Sequence, residues 1–187
     1  SLRRHQPVGF HWDKKFTKIL DHENKPFFKW FTDGQLNASY NCIDRHLKDK
    51  GQKIALIFES DDGNISNVTY SELHKMVCKL ANGLSSLGLI KGDRVIIYMP
   101  MSIEAVVAMH ACVRIGLTHS VVFGGFSSKS LQERIDDAEA KCVITADGQK
   151  RGGKEILLNS IVDEALDNST KNTVTNRIIY QRLNINI

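Results

Sequence analysis

The sequence has 187 residues, of which 42% are hydrophobic and 25% are charged. This composition is typical of a globular protein with one sizeable core and excludes a chain that is disordered throughout. The formal net charge of +4 comes from Lys and Arg residues dispersed among almost as many acidic residues. Long basic blocks are lacking, so the charge pattern argues against nucleic-acid binding.

The sequence favours a cytoplasmic protein over a membrane or secreted one. Its apolar stretches are far shorter than the roughly 20 residues that a membrane-spanning helix needs. Its first residues are basic, but no apolar run follows them as in a signal peptide. The cysteines Cys42, Cys78, Cys112 and Cys142 lie 30 or more residues apart and form no CxxC pair. This spacing indicates reduced, mostly buried thiols.

The first predicted unit, residues 1–46, is an irregular N-terminal arm. It shows no clean periodicity but concentrates aromatic side chains, namely Phe10, Trp12, Phe16, Phe27, Phe28, Trp30, Phe31 and Tyr40. After the polar residues 37–41, the segment to about Leu47 could form a short helix. We expect the arm to pack its aromatics on a larger body, and its exposed apolar surface to favour self-association of the isolated chain.

The second predicted unit, residues 47–187, begins with a hairpin and a helix. Apolar residues 54–58 and the segment 65–69 flank a turn at 61–64, which predicts two antiparallel strands. Thr69 and Glu72 have the spacing of a capping box. The helix that follows is predicted from the apolar positions Leu73, Val77, Leu80, Leu84 and Leu87, with a stop at Gly88.

Strands then alternate with helices, which predicts an α/β fold. The near-continuous apolar run 94–99 is typical of a strand buried on both faces of a parallel sheet. The elements predicted after it are a helix at 103–115 capped by Ser102, a strand at 117–123, a helix with a Ser130/Glu133 capping box, a strand at 142–145, a helix at 156–166 and a strand at 177–181. We therefore expect a mainly parallel sheet flanked by helices, with right-handed crossovers. Because the sheet is still growing there and the chain lacks an initiator Met, we expect a truncated protein.

Two glycines, Gly124 and Gly125, follow a predicted buried strand and precede a helix. In open α/β sheets ligands bind beyond the carboxyl ends of strands, and glycine allows the backbone to approach a ligand closely. A tight turn that needs positive φ explains the same pair, and the residues alone favour that turn. The pattern is neither G-x-G-x-x-G nor a Walker motif, so it does not support a dinucleotide or P-loop site.

A basic, glycine-rich loop at 147–154 follows the next strand and contains Arg151, Gly152, Gly153 and Lys154. Its cations could bind phosphate oxygens, Arg as a fork and Lys as a point charge. A solvated basic turn is the alternative, and the residues alone leave both open. His110 and His119 are interpreted as histidines of the core or its edge. We predict no catalytic residue and no metal ligand in this chain.

Several longer motifs resemble the acetyl-CoA synthetase family over residues 12 to about 166, whereas the tail after Asp167 matches poorly. The most specific lie in the arm. The motifs are Pro26-Phe27-Phe28-Lys29-Trp30-Phe31, Gly34-x-Leu36-Asn37-x-Ser39-Tyr40-Asn41-Cys42-x-Asp44-Arg45-His46, Thr69-Tyr70-x-Glu72-Leu73, Gly92-Asp93-Arg94-Val95, Tyr98-Met99-Pro100-Met101, Phe123-Gly124-Gly125-Phe126-Ser127 and Ile144-Thr145-Ala146-Asp147.

The resemblance implies a flavodoxin-like α/β subdomain of an adenylate-forming enzyme. The family joins acetate to AMP from ATP with Mg²⁺, releases diphosphate and passes the acetyl group to coenzyme A. The resemblance further implies that the adenosine-phosphate end of coenzyme A is contacted by Arg151, Gly152, Gly153 and Lys154. It also implies that Gly124 and Gly125 line the path of coenzyme A. Lys154 stands where the family commonly has Arg, which weakens bidentate phosphate recognition.

The resemblance also implies that the ATP and acyl pockets lie outside this chain. We therefore expect the isolated chain to bind part of coenzyme A but to be inactive in adenylation. Two alternatives stay open: part of a propionyl-CoA synthetase, whose N-terminal region is similar, or a non-catalytic α/β module that binds a nucleotide or a partner.

Overall fold

The computed structural model describes residues 9–185, so residues 1–8 of the predicted arm lie outside the described part. The strands are β1 Lys18–Asp21, β2 Lys29–Thr32, β3 Ile54–Glu59, β4 Ile65–Thr69, β5 Arg94–Met99, β6 Thr118–Phe123, β7 Cys142–Ala146, β8 Gln149–Arg151, β9 Lys154–Ile156 and β10 Asn176–Tyr180. The helices are α1 Ala38–Cys42, α2 Leu47–Lys50, α3 Tyr70–Ser86, α4 Ile103–Arg114, α5 Ser128–Ala138 and α6 Leu158–Asp167, with a 3-10 turn at Asp44–His46.

The predicted α/β fold is confirmed by a four-stranded parallel sheet in the order β10-β7-β5-β6. β5 lies inside it, and its residues 95–99 are all buried. Helices α4, α5 and α6 connect successive strands of the sheet. This arrangement brings the carboxyl ends of β5, β6 and β7 to one edge. No helix among the described residues has the length and hydrophobicity to cross a bilayer.

The predicted hairpin and capping box are confirmed. Strands β3 and β4 pair antiparallel as a separate sheet. The Thr69 hydroxyl accepts a hydrogen bond from the Glu72 backbone N–H at 3.2 Å, and the Glu72 carboxylate accepts one from the Thr69 N–H at 2.8 Å. Helix α3 ends at Ser86, so Leu87 lies beyond it and is exposed. Because Leu87 is in the C-cap, its spacing does not place it on the buried face of α3.

The predicted capping box at Ser130 and Glu133 is wrong. Helix α5 begins at Ser128, and the hydroxyl of Ser127 caps it by accepting a hydrogen bond from the Ser130 N–H at 3.3 Å. Ser127 has the extended backbone that an N-cap needs, whereas Ser130 is already helical. With three serines so close together, sequence spacing alone selected the wrong one. The helix therefore starts right after the Gly124–Gly125 turn.

The arm is less irregular than predicted, because β1 and β2 pair as an antiparallel ribbon. The side chains of Trp12, Phe16 and Phe31 cluster beside it, with ring centroids 5.1 to 5.6 Å apart. The strands are four residues long and mostly exposed, so no apolar alternation marks them in the sequence. The short helix predicted after residues 37–41 is misplaced. Helix α1 already begins at Ala38, where Asn37 caps it by accepting from the Tyr40 N–H at 3.1 Å, and the segment that follows forms the 3-10 turn Asp44–His46.

Polar contacts attach the described part of the arm to α4. The Asn37 side-chain amide donates to the Arg114 carbonyl at the end of α4 at 2.9 Å. Arg114 binds both oxygens of Asp44 at 2.7 and 2.5 Å, and His74 lies 3.2 Å from the same carboxylate. The arm aromatics Phe27 and Trp30 stay 73% and 63% exposed. Their predicted docking on a larger body is not seen within the described residues.

Candidate functional site

A cleft of about 420 Å³ opens where β5, β6 and β7 end. The carboxyl edge of a parallel sheet is where ligands bind in open α/β folds. The cleft is lined by segment 99–101 at the end of β5, segment 121–124 at the end of β6 and segment 149–151 in β8. Phe58, Glu59, Asp61 and Arg182 also line it. Of the predicted site residues, Gly124 of the glycine pair and Arg151 of the basic loop line this cleft.

The Gly124–Gly125 pair forms a turn in which the Phe126 N–H donates to the Phe123 carbonyl at 3.0 Å. Neither glycine has a positive φ, so the expectation of a turn that depends on positive φ is wrong. Close packing explains the glycine at position 125 instead. A Cβ atom there would lie 2.5 Å from the Phe123 ring and 2.6 Å from the Arg151 guanidinium.

The side chain of Tyr98 binds this turn through its hydroxyl group. Its buried hydroxyl donates to the Phe126 carbonyl at 2.8 Å and lies 3.4 Å from the Gly124 carbonyl. Burial raises the pKa of Tyr98, so the hydroxyl stays protonated and remains a donor at neutral pH. The backbone of the turn is therefore fixed to the central strand β5.

The basic loop forms a short hairpin with a solvent-exposed tip. Strands β8 and β9 pair antiparallel, and Arg151 stands directly opposite Lys154. Gly152 and Gly153 connect the strands with φ of 56° and 74°, as a two-residue type I′ turn requires at both positions. Opposite residues share a face of a hairpin, so these two cations lie side by side at its exposed tip.

Two contacts join the hairpin to the glycine turn. The Gln149 side-chain amide, which is 7% exposed, donates to the Gly124 carbonyl at 2.8 Å. The Arg151 guanidinium lies over the Phe123 ring, 5.1 Å from its centroid, within the range of a cation–π contact. Of the predicted site residues, the structure brings Arg151, Gly124 and Gly125 together directly. Gly152, Gly153 and Lys154 join them through the hairpin.

The base of the hairpin is fixed by Asp147. Its carboxylate accepts hydrogen bonds from the backbone N–H groups of Gly148, Arg182, Leu183 and Ile185 at 2.7 to 3.1 Å. Burial raises the pKa of Asp147, but these donors lower it more, so the pKa lies below its ordinary value. The ionised carboxylate holds the start of the hairpin against the segment that follows β10.

Sequence reasoning missed Gln149, Tyr98 and Phe123 as parts of this site. Gln149 could have been noticed as a polar residue between a buried strand and a basic turn. The other two carry no such signal, because a tyrosine or phenylalanine in an apolar strand is ordinary core material.

The two histidines lie away from the cleft and fit their structural interpretation. His110 and His119 are half-buried, and burial lowers the pKa of both, so they are neutral near pH 7.

Residues 9–185 contain no group of three or more His, Cys, Asp and Glu side chains arranged to hold a metal ion. All four cysteines are free thiols, but only Cys112 and Cys142 are fully buried, fewer than expected.

Comparison with known proteins matches two family models in succession along the chain. The family described as AMP-binding enzyme matches residues 43–185, and the family described as acetyl-coenzyme A synthetase N-terminus matches residues 5–42. The similarity thus runs past residue 166, so the expectation that the tail diverges from the family is wrong. β10 lies within the matched region.

Similar proteins carry consistent names. An acetyl-coenzyme A synthetase of Herminiimonas arsenicoxydans is 62% identical over 175 residues, which are 93% of this chain and 26% of that protein. One from Cupriavidus necator is 59% identical over 180 residues, 96% of this chain and 27% of that protein. The chain thus spans about a quarter of these curated relatives. The structure of an acetoacetyl-CoA synthetase from Streptomyces lividans superposes with a TM-score of 0.87 at 26% identity, covering 95% of this chain and 27% of that one.

Proposed function

This chain belongs to the AMP-binding enzyme family, and on that premise we propose that it is the N-terminal part of a cytoplasmic, AMP-forming acetyl-CoA synthetase. The whole enzyme would convert acetate and ATP to acetyl-adenylate and diphosphate, then transfer the acetyl group to coenzyme A with release of AMP. The relatives named acetyl-coenzyme A synthetase, which cover 93% and 96% of the chain, support this assignment over a propionyl-CoA synthetase.

Within this chain we assign a coenzyme A site to Arg151, Gly152, Gly153 and Lys154 together with Gly124 and Gly125. The supporting observation is the position of the Arg151 guanidinium against Gly125, at the edge of the sheet where ligands bind. Among residues 9–185, neither Arg151 nor Lys154 forms an ion pair with a carboxylate. Two like charges on one face of a hairpin repel each other, and a phosphate group bound between them relieves that repulsion.

The rest of the cleft suits the remainder of coenzyme A, which has an aromatic base and a long neutral arm. Met101, Val121 and Phe123 expose apolar surface at the cleft, with Met101 87% exposed. The glycine turn offers backbone that a ligand can approach closely. The role of this chain would be to bind and orient the thiol substrate. ATP and Mg²⁺ belong to the proposed reaction, but we assign them no residue here.

The test of this function is product analysis with the full-length protein that contains this chain. With acetate, ATP and coenzyme A, we expect acetyl-CoA, AMP and diphosphate in equal amounts. Formation of ADP and phosphate would contradict an adenylate intermediate. Faster turnover with propionate or acetoacetate would contradict the acyl assignment, and no turnover with any of the three acids would favour a non-catalytic module.

A further inference from the structure

We propose that Gln149 is a positioning residue for the coenzyme A step, which it serves by holding the basic hairpin against the glycine turn. The inference rests on the coenzyme A site proposed above. Gln149 is buried, and its amide donates to the Gly124 carbonyl at 2.8 Å across 25 positions of sequence. A buried amide group is costly unless it is hydrogen-bonded, so this contact constrains where the side chain can lie.

The position of Gln149 in β8 couples it to Arg151. Alternate residues of a strand face the same side, and both side chains reach the glycine turn, Gln149 at Gly124 and Arg151 beside Gly125. The Gln149 contact therefore sets the distance between the turn and the strand that carries the guanidinium. Arg151 depends on that distance for its place over Phe123 and at the cleft.

Besides Gln149, the described residues attach the hairpin through Asp147 and Ile156 at its base and through the contact of Arg151 with Phe123. β8 and β9 form their own two-stranded sheet and do not join the parallel sheet. Asp147 fixes the base of the hairpin, and Tyr98 fixes the turn on its other side. The side-chain hydrogen bond of Gln149 connects the hairpin to the glycine turn directly. Without it, the hairpin keeps its base, but its tip can move away from the cleft and carry Arg151 with it.

The experiment is a double-mutant cycle in the full-length protein, with the KM for coenzyme A and acetate-dependent ATP–diphosphate exchange as readouts. Gln149→Met keeps the length of the side chain and removes the donor. We expect it to raise the KM for coenzyme A about fivefold, which is the effect of one lost hydrogen bond. The rate of ATP–diphosphate exchange should fall by a much smaller factor. In an Arg151→Ala background, the same substitution should raise the KM by a further factor of less than about two. The reason is that Gln149 acts through the Arg151 side chain, which this background lacks.

Gln52→Met is the matched control, because Gln52 is exposed in the loop before β3 and does not line the cleft. It should leave both readouts unchanged. If Arg151→Ala alone leaves the KM unchanged, the proposed coenzyme A site is wrong. Two outcomes would overturn the positioning role when Arg151→Ala does raise the KM. In one, Gln149→Met leaves the KM unchanged; in the other, it raises the KM by the same factor with and without Arg151. Should Gln149→Met unfold the protein, Gln149→Asn, which keeps an amide that is one methylene too short, decides by the same criterion.

Discussion

Replacing Arg151 by alanine removes one exposed cation from the tip of the hairpin and leaves the hairpin backbone in place. A charge-assisted hydrogen bond contributes about 1.5 to 3 kcal/mol. Because Arg151 is exposed, solvent and salt weaken its contact with a phosphate. We therefore take the lower end of that free-energy range for the Arg151 contact. Because about 1.4 kcal/mol corresponds to a factor of ten, the KM for coenzyme A should rise about tenfold. Lys154→Ala should act in the same direction but less strongly, because Lys binds as a single point charge.

The assay separates the two half-reactions of the full-length protein. Coenzyme A enters only the second one, so Arg151→Ala should leave acetate-dependent ATP–diphosphate exchange near normal while the KM for coenzyme A rises. Dephospho-coenzyme A should narrow the difference between wild type and variant if the 3′-phosphate is the group that Arg151 binds. Arg134→Ala is the matched control, because Arg134 lies over Phe126 of the same turn, 4.7 Å from the ring centroid, but does not line the cleft.

Two results would refute this reasoning. If Arg151→Ala reduces exchange and coenzyme A use by the same factor, the hairpin supports the fold rather than the second half-reaction. A tenfold rise in KM with Arg134→Ala as well would show that any nearby cation has the same effect, and the specific role of Arg151 would then be lost.

Three further results are expected. Burial raises the pKa of Asp44, but Arg114 lowers it more, so the folded-state pKa lies below the ordinary value of 3.8. The contact between Asp44 and Arg114 therefore stabilises the docked arm fully at pH values above 3.8, and this stabilisation is lost as the pH falls through the folded-state pKa. Hydrogen exchange at residues 38–46 should therefore stay slow from pH 7 to 5, and loss of protection within that range would contradict the assignment. Gly125→Ala should raise the KM for coenzyme A several-fold, because its Cβ would displace the Arg151 guanidinium and the Phe123 ring; an unchanged KM would count against this. Iodoacetamide should modify exposed Cys42 well before Cys112, whose pKa burial raises to about 12, and peptide mapping showing the reverse order would be inconsistent with the fold.

The parts of the fold that sequence predicted well are those that local patterns specify. The apolar run of β5 identifies a strand buried on both faces, and Thr69 with Glu72 identifies the start of α3. In both cases the determining residues lie within a few positions of one another. Periodicity and cap spacing act at that range, which is why the parallel sheet and its helices were predictable.

The parts that sequence missed depend on contacts between distant segments or on choices between similar neighbours. Gln149 and Tyr98 take part in the site through hydrogen bonds to a turn 25 or more residues away. Strands β8 and β9 have three residues each, too few for a visible alternation. The cap of α5 fell on Ser127 because the preceding turn ends there, and tertiary structure decides that point.

The contacts of Asp147 have a consequence for the order in which the protein folds. Each new strand from β5 to β7 can pair as soon as its crossover helix is made, since β6 and β7 both bind β5. The hairpin is synthesised directly afterwards. Its base, however, receives hydrogen bonds from residues 182–185, which leave the ribosome later and only after β10. We therefore expect a nascent chain that ends before β10 to contain a paired central sheet but a loosely attached hairpin, which becomes fixed at its base only after residues 182–185 have emerged.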